Sequence, residues 1–246
     1  MGIKTQHGFT VIEVMLFLAV TGILAVGILV GSGVSIGQQR YRDSVNTLKS
    51  LIQDQYNETT NVQNSRNQAW TCDSSTIIIE SPSGTGESRG TSDCVLLGRF
   101  ITVDNSGTKL TVSSVAGYRD TGAAAASDIL ELQTHYKLGI SPIDQEEKDV
   151  EWGAQVVEPK TTTPMPVSIL IVRSPLSGAV MTFIADGVTN DLDGLVKVSN
   201  LQQTKDLCIN ADAGSFVGKR VEVKINAYAS SQTAISIPPE GESVCD

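Results

Sequence analysis

From Val14 to Gln39 the chain carries no Asp, Glu, Lys or Arg. Coiled as an α-helix, that run is about 39 Å long, more than the roughly 30 Å hydrocarbon core of a bilayer. It reads as a membrane-spanning helix, with the remaining chain folding on one side of the membrane. Glu13 stands alone at its head. A carboxylate near the start of such a helix costs about 2.5–3.5 kcal/mol on insertion scales, so a partner for it is expected.

The helix should continue past the uncharged run. Tyr41, Val45, Leu48, Ile52 and Tyr56 recur at helical spacing, while Arg40, Arg42, Asp43, Lys49 and Asp54 mostly take the other faces. Such a stripe packs under a sheet. The polar, asparagine-rich stretch from Asn57 to Gln68 should end the helix. Within the apolar half, Gly27/Gly31 and Gly33/Gly37 form G-x-x-x-G spacings, and Gly22 adds a further glycine. These permit close approach of a second helix in lipid, although membrane helices also tolerate glycine without using it.

The junction before Glu13 reads His7-Gly8-Phe9-Thr10-Val11-Ile12-Glu13. An ordinary secretory signal is cut after its apolar core. Here the only fitting cut lies before that core, so the apolar helix stays on the protein. A plain single-span anchor with a chance Gly-Phe-x-x-x-Glu is the competing reading. The segment resembles the N-terminus of a type IV pilin or type II secretion pseudopilin precursor, over residues 1 to about 55. The resemblance implies a leader of residues 1–8 with Lys4 as its charge, cleavage after Gly8 by a prepilin peptidase, and N-methylation of Phe9 by the same enzyme. It places Glu13 at the family's glutamate, where it pairs in a filament with the Phe9 amine of an adjacent subunit. Val11 stands where leucine is commoner. Val30 stands where pilins usually carry a proline, which marks a segment that loosens on assembly. Gly27 and Gly31 would then be the residues free to loosen the same stretch.

The expected organisation is α+β: leader 1–8, transmembrane and assembly helix 9–39, amphipathic extension 40–66, and a β-rich extracytoplasmic head 67–246. Roughly 180 residues are enough for one substantial core or two small ones. Residues 141–166, acidic and then Thr/Pro-rich, read as a surface loop or as a linker between two subdomains. A net charge of −9 and only 5% aromatic residues oppose nucleic-acid binding, which draws on Lys, Arg and stacking rings.

Several strands are expected. Val95–Val103 and Lys109–Val115 flank a hairpin turn at Asn105-Ser106-Gly107. Thr76–Glu80, Val167–Val172, Ala179–Ala185, Leu195–Ser199, Asp206–Asn210, Arg220–Tyr228 and Ala234–Ile237 follow as short strands, with a turn at Ser174–Gly178. The strict alternation from Arg220 to Asn226 predicts a half-buried antiparallel strand. Ala123–Leu138 fits neither period. The late Leu-Cys-Ile strand and the Lys-Arg-Val strand after a Gly-containing loop also resemble the sheet end of pilin-like subunits.

All four cysteines, Cys72, Cys94, Cys208 and Cys245, follow the membrane run. Disulfides are expected in an exported domain, and four cysteines allow three connectivities. Cys72–Cys94 and Cys208–Cys245 are favoured because each encloses one short segment. A zinc site is disfavoured by the lack of any C-x-x-C knuckle.

Gly84, Gly86 and Gly90 lack the strand–helix frame of a nucleotide-binding loop. Asp186, Asn190, Asp191 and Asp193 offer clustered oxygens before Gly194, partly like a calcium loop but without its terminal Glu. An Asp/Asn/Gly-rich turn explains them equally simply. Glu146, Glu147, Asp149 and Glu151 read as solvated surface, and Lys219, Arg220 and Lys224 as the solvent side of a strand. With His7 in the leader, a His-dependent catalytic site would have to use His135. The expectation is a structural subunit, with no enzyme activity and no cofactor. Its partners would be other pilin subunits, prepilin peptidase, the membrane assembly platform and lipid. Its location would be the cytoplasmic membrane as a single-pass precursor, then a cell-surface filament. The readings left open are a pseudopilin and a single-span adhesin or receptor that does not polymerise.

Overall fold

A single helix, α1 (Val11–Thr60), runs unbroken for 50 residues and organises everything after it. The computed structural model describes residues 10–62, 70–72, 79–80, 92–141, 145–211, 219–239 and 241–245. No kink interrupts α1 at Val30. Its first half is exposed, and burial begins at Tyr41 and continues through Ser44, Val45, Leu48, Leu51, Ile52, Gln55, Tyr56 and Thr59. The stripe read from the sequence is thus the buried face.

Among the described residues, twelve strands and three further α-helices follow α1: β1 (Trp70–Thr71), β2 (Ile79–Glu80), β3 (Cys94–Val103), β4 (Lys109–Arg119), α2 (Asp128–His135), β5 (Tyr136–Ile140), β6 (Glu146–Asp149), β7 (Gln155–Val157), β8 (Val167–Arg173), β9 (Val180–Asp186), α3 (Leu192–Leu195), α4 (Val198–Leu201), β10 (Lys205–Asn210), β11 (Val221–Ile225) and β12 (Ile235–Ser236). The larger sheet runs β5-β4-β3-β8-β9, with β6 also on β4; a second runs β12-β11-β10-β7; β1 and β2 form a pair. All these pairings are antiparallel.

The buried stripe of α1 serves both larger sheets. Tyr41, Val45, Leu48, Ile52 and Tyr56 share one core with Ile101, Val112, Ile169 and Ile171 of the larger sheet and with Leu207, Ile209, Val223 and Ile225 of the smaller. Each fully buried aliphatic side chain contributes about 1.5–3 kcal/mol. The opposite face of the larger sheet is covered by α2, α3 and α4, through Leu132, Leu192, Leu195 and Leu201 against Phe100, Leu170 and Phe183. With both faces covered, β8 is buried at six consecutive positions, which accounts for its near-continuous apolar run.

Three readings differ from the structure, and one left open is decided by it. Leu195–Ser199 is not a strand: α3 and α4 occupy Leu192–Leu201, with Asp191 Oδ1 capping α3 through the Gly194 N–H at 2.9 Å. Leu192, Leu195 and Leu201 are buried there, while Val198 is exposed. Ala123–Leu138 resolves into a loop, α2 and the start of β5. Residues 141–166 are more than a loop, because β6 pairs with β4 and β7 with β10, so this stretch passes from one sheet to the other. Glu222, which alternation points at solvent, is buried and accepts the Val244 N–H at 2.7 Å. The C-terminal segment covers what would otherwise be the outer face of β11.

Gly98 marks a β-bulge in β3, where the register shifts between Leu96 and Gly98. A Cβ there would lie 2.0 Å from the Ile171 carbonyl oxygen, so only glycine permits β3 and β8 to approach.

Candidate functional site

The exposed half of α1 combines features a soluble domain would hide. Val11, Ile12, Met15, Leu16, Phe17, Ile23, Leu24, Val26, Ile28, Leu29 and Val30 are all exposed. Among the described residues α1 is the one helix long and apolar enough to cross a membrane, and none of its most apolar window is buried. That apolar half is not buried in the chain's own core. Gly22, Gly27, Gly31 and Gly33 have no atom of the rest of the chain within 4 Å of a notional Cβ. Their close-packing surface is open to another molecule.

The helix begins with a reciprocal cap. Thr10 Oγ1 accepts the Glu13 N–H at 3.3 Å, and Glu13 Oε2 accepts the Thr10 N–H at 3.5 Å. The T-x-x-E spacing is itself a readable capping-box signal. It gives Glu13 a contact within its own chain, from its carboxylate to a helix-start amide. Gly8 and Phe9, the residues at the expected cleavage junction, lie outside the described residues, as do the rest of the leader and Gly84, Gly86 and Gly90.

Cys72 is joined to Cys94, with Cα atoms 5.8 Å apart, and Cys208 to Cys245, at 5.5 Å. Both sulfurs of the second bridge are buried beside Val157. It fastens the C-terminal segment over β10, next to the Glu222 clamp.

The oxygens of residues 186–193 do not converge. Asp186 pairs with Lys205, Asp191 caps α3, and Asp193 Oδ1 accepts the Leu138 N–H at 2.9 Å. No group of three or more His, Cys, Asp or Glu suited to a metal occurs among the described residues. Glu146, Glu147 and Asp149 are exposed on β6, and Glu146 pairs with Lys148 at 3.0 Å. Lys224 lies 3.7 Å from Asp206, within the smaller sheet.

His135 ends α2, where its backbone carbonyl accepts the Asp120 N–H. Beside it, Glu131 is buried, accepts the Ala125 N–H at 2.7 Å and pairs with Arg119 at 2.9 Å. The Ala125 amide first, and then Arg119, hold the Glu131 carboxyl below its ordinary range against the opposing effect of burial. This arrangement pins residues 120–127 and needs no catalytic explanation. Gly33-Val34-Ser35-Ile36-Gly37 spells a G-x-S-x-G sequence, but it lies inside α1 rather than at the strand-to-helix turn a nucleophile requires.

The family described as the prokaryotic N-terminal methylation motif matches residues 3–29. No curated protein and no solved structure matches the chain. That motif, the apolar helix that suggests membrane anchoring, and the antiparallel head packed on its second half agree with one another. The chain carries, at residues 3–29, the signature of type IV pilins and pseudopilins.

Proposed function

We propose that this protein is a structural subunit of a type IV pilus-like filament, made as a membrane-anchored precursor. Residues 1–8 are its leader, 9–39 its membrane and assembly helix, 40–66 the helical extension into the head, and 67–246 the extracytoplasmic head. A prepilin peptidase cuts after Gly8 and methylates Phe9, and an assembly platform then draws subunits together through their N-terminal helices. The observation that carries this reading is the division of α1 into an exposed apolar half with open glycines and a buried half that is core to the head. Such a helix exchanges lipid for neighbouring helices without any rearrangement of the head.

Within this scheme Gly27 and Gly31 are contact points between helices, and Glu13 meets the Phe9 amine of a neighbour. The cap with Thr10 supports that role by presenting the carboxylate at the first turn. The test is the N-terminus of the protein recovered from cells: a methylated Phe9 is expected. An intact Met1, or a cut beyond the apolar run, would overturn the reading. Labelling this chain in sheared surface filaments distinguishes a pilus subunit from a pseudopilin, which would instead be retained with the envelope.

A further inference from the structure

The bulge at Leu96–Gly98 splits the larger sheet at one end. Towards β4, β3 stays paired back to Cys94, opposite Tyr118. Towards β8 its ladder begins only at Gly98, opposite Val172. On that side Val95, Leu96 and Leu97 present an unpaired strand edge. Exposed edges in natural sheets are usually guarded by charge or proline, and these three residues carry neither. β8 does not close the gap, because the chain turns away after Arg173. That turn is firmly built: Ser174 N–H donates to Ala179 O at 2.7 Å, and Gly178 N–H to Ser174 O at 3.0 Å. Asp128 accepts the hydroxyls of Ser174 and Ser177 and the Ser177 N–H.

Between edge and turn lies an open cleft of about 510 Å³, within the roughly 300–1,000 Å³ of ligand sites. Its walls include Leu97 and Tyr136, and three exposed apolar side chains gather there, Val62, Val95 and Leu176. Among the described residues Arg173 is the only charged side chain in the lining. Its Nη2 would lie 3.3 Å from a Cβ at Gly178, so the guanidinium rests against the turn. It meets no ion-pair or hydrogen-bond partner among the described residues. Asp128, the acid that holds the turn, is committed to the two serines. The cleft lies at the far end of the head from the apolar half of α1. Val62 follows α1, which rises about 32 Å between Gln39 and Thr60.

We propose that this cleft takes an extended segment of a partner protein, added as a strand to the β3 edge with an acidic side chain on Arg173. An unpaired edge offers backbone donors and acceptors to an extended chain, whose alternate side chains then enter the apolar walls. A lone guanidinium on a chain of net charge −9 selects a carboxylate. Asp93, exposed at the other end of the edge, repels one, so the strand's direction fixes where its acid must stand. The proposal needs no filament and stands apart from the pilin reading.

The full-length chain in neutral detergent micelles is titrated with acetyl-Val-Ser-Val-Asp-amide, acetyl-Asp-Val-Ser-Val-amide and acetyl-Val-Ser-Val-Asn-amide. Exchange is followed at the amides of Val95–Leu97 that are not bonded to β4. One acidic peptide should slow this exchange at millimolar concentration or below. The other acidic peptide, the Asn peptide, and Arg173→Gln with the better peptide should each require about tenfold more. Methylating the backbone nitrogens of the better peptide should abolish the protection. Equal protection by the methylated peptide, by both acidic peptides, or in Arg173→Gln would overturn the proposal, as would no protection at millimolar peptide. Amides already slow without peptide at every protein concentration would put the chain's own residues on the edge. Slowing that grows with protein concentration alone would put a second copy there. Either result overturns the proposal, whereas an unprocessed N-terminus in cells bears on the pilin reading alone.

Discussion

The Tyr41 hydroxyl donates to the Ile209 carbonyl oxygen at 2.7 Å, and accepts the Val221 N–H at the same distance. Ile209 and Val221 face each other at the end of the β10–β11 ladder. One phenol thus ties the helix, at the point where it leaves the uncharged run, to two strands of the smaller sheet. Tyr41→Phe removes both bonds from a buried site, at a cost of about 1–3 kcal/mol. Chemical denaturation of the head should show that loss. A change within about 0.5 kcal/mol, typical of a surface substitution, would mean that the helix is held by apolar packing alone.

Further along the same face, the Tyr56 hydroxyl lies 2.9 Å from Thr182 Oγ1. Burial pushes the Tyr56 phenol up to about 12, with the Thr182 bond opposing it only in part. The folded state therefore keeps a proton that the unfolded chain gives up near pH 10. Stability supplied by this group is complete below pH 10 and is lost as pH rises towards 12, by about 2–3 kcal/mol. A denaturation series from pH 8 to 12 should show this loss, and Tyr56→Phe should flatten the slope that Tyr56 supplies. An unchanged slope in the variant would assign alkaline unfolding to other groups.

The elements legible in the sequence are those whose pattern reflects a local surface. The four-three-four-four spacing from Tyr41 to Tyr56 is the buried face of α1, and the β3–β4 and β8–β9 hairpins fall close to their expected bounds. Elements whose burial is created by distant chain are harder to read. Glu222 looks solvent-facing until the segment around Val244 is laid over it. The stretch from Glu146 to Val157 looks like loop because its strands are short and one is charged, yet each finds an edge in a different sheet. Leu192 to Leu201 mixes apolar and polar residues in a way that strand and helix share, and burial against Phe183 decides for helix. The Thr10–Glu13 cap is the opposite case, a local signal fully present in four residues.

Reduction should act on the head and spare the N-terminal segment. By loop entropy the Cys208–Cys245 bridge, with a sequence separation of 37, contributes about 4 kcal/mol, and Cys72–Cys94, at 22, slightly less. Non-reducing peptide mapping should recover these two pairs. Cys245→Ser should also loosen the cover over Glu222, seen as faster amide exchange at Val244, whose N–H the Glu222 carboxylate holds. Exchange at Val244 no faster than in the parent chain would show that the carboxylate alone holds the segment.

Glu13 can act in two ways that a single substitution does not separate. As a cap it needs only an acceptor for the Thr10 N–H; as a counter-charge it needs ionisation. In a filament, losing one member of a poorly solvated pair leaves the other uncompensated, at about 3–5 kcal/mol per contact. Glu13→Gln keeps a side chain able to cap, since glutamine serves in the capping box, but it removes the charge. Glu13→Val removes both. If the charge drives assembly, both variants should reach the membrane and both should be nearly absent from sheared filaments. Gly8→Ala should act one step earlier and leave uncut precursor in the membrane. The comparison is made by membrane fractionation and filament shearing, in cells expressing no other pilin. Wild-type filament yield from Glu13→Gln, with loss only in Glu13→Val, would overturn charge pairing and assign Glu13 to its own helix start. Wild-type yield from both would leave apolar packing and the open faces of Gly27 and Gly31 to carry assembly.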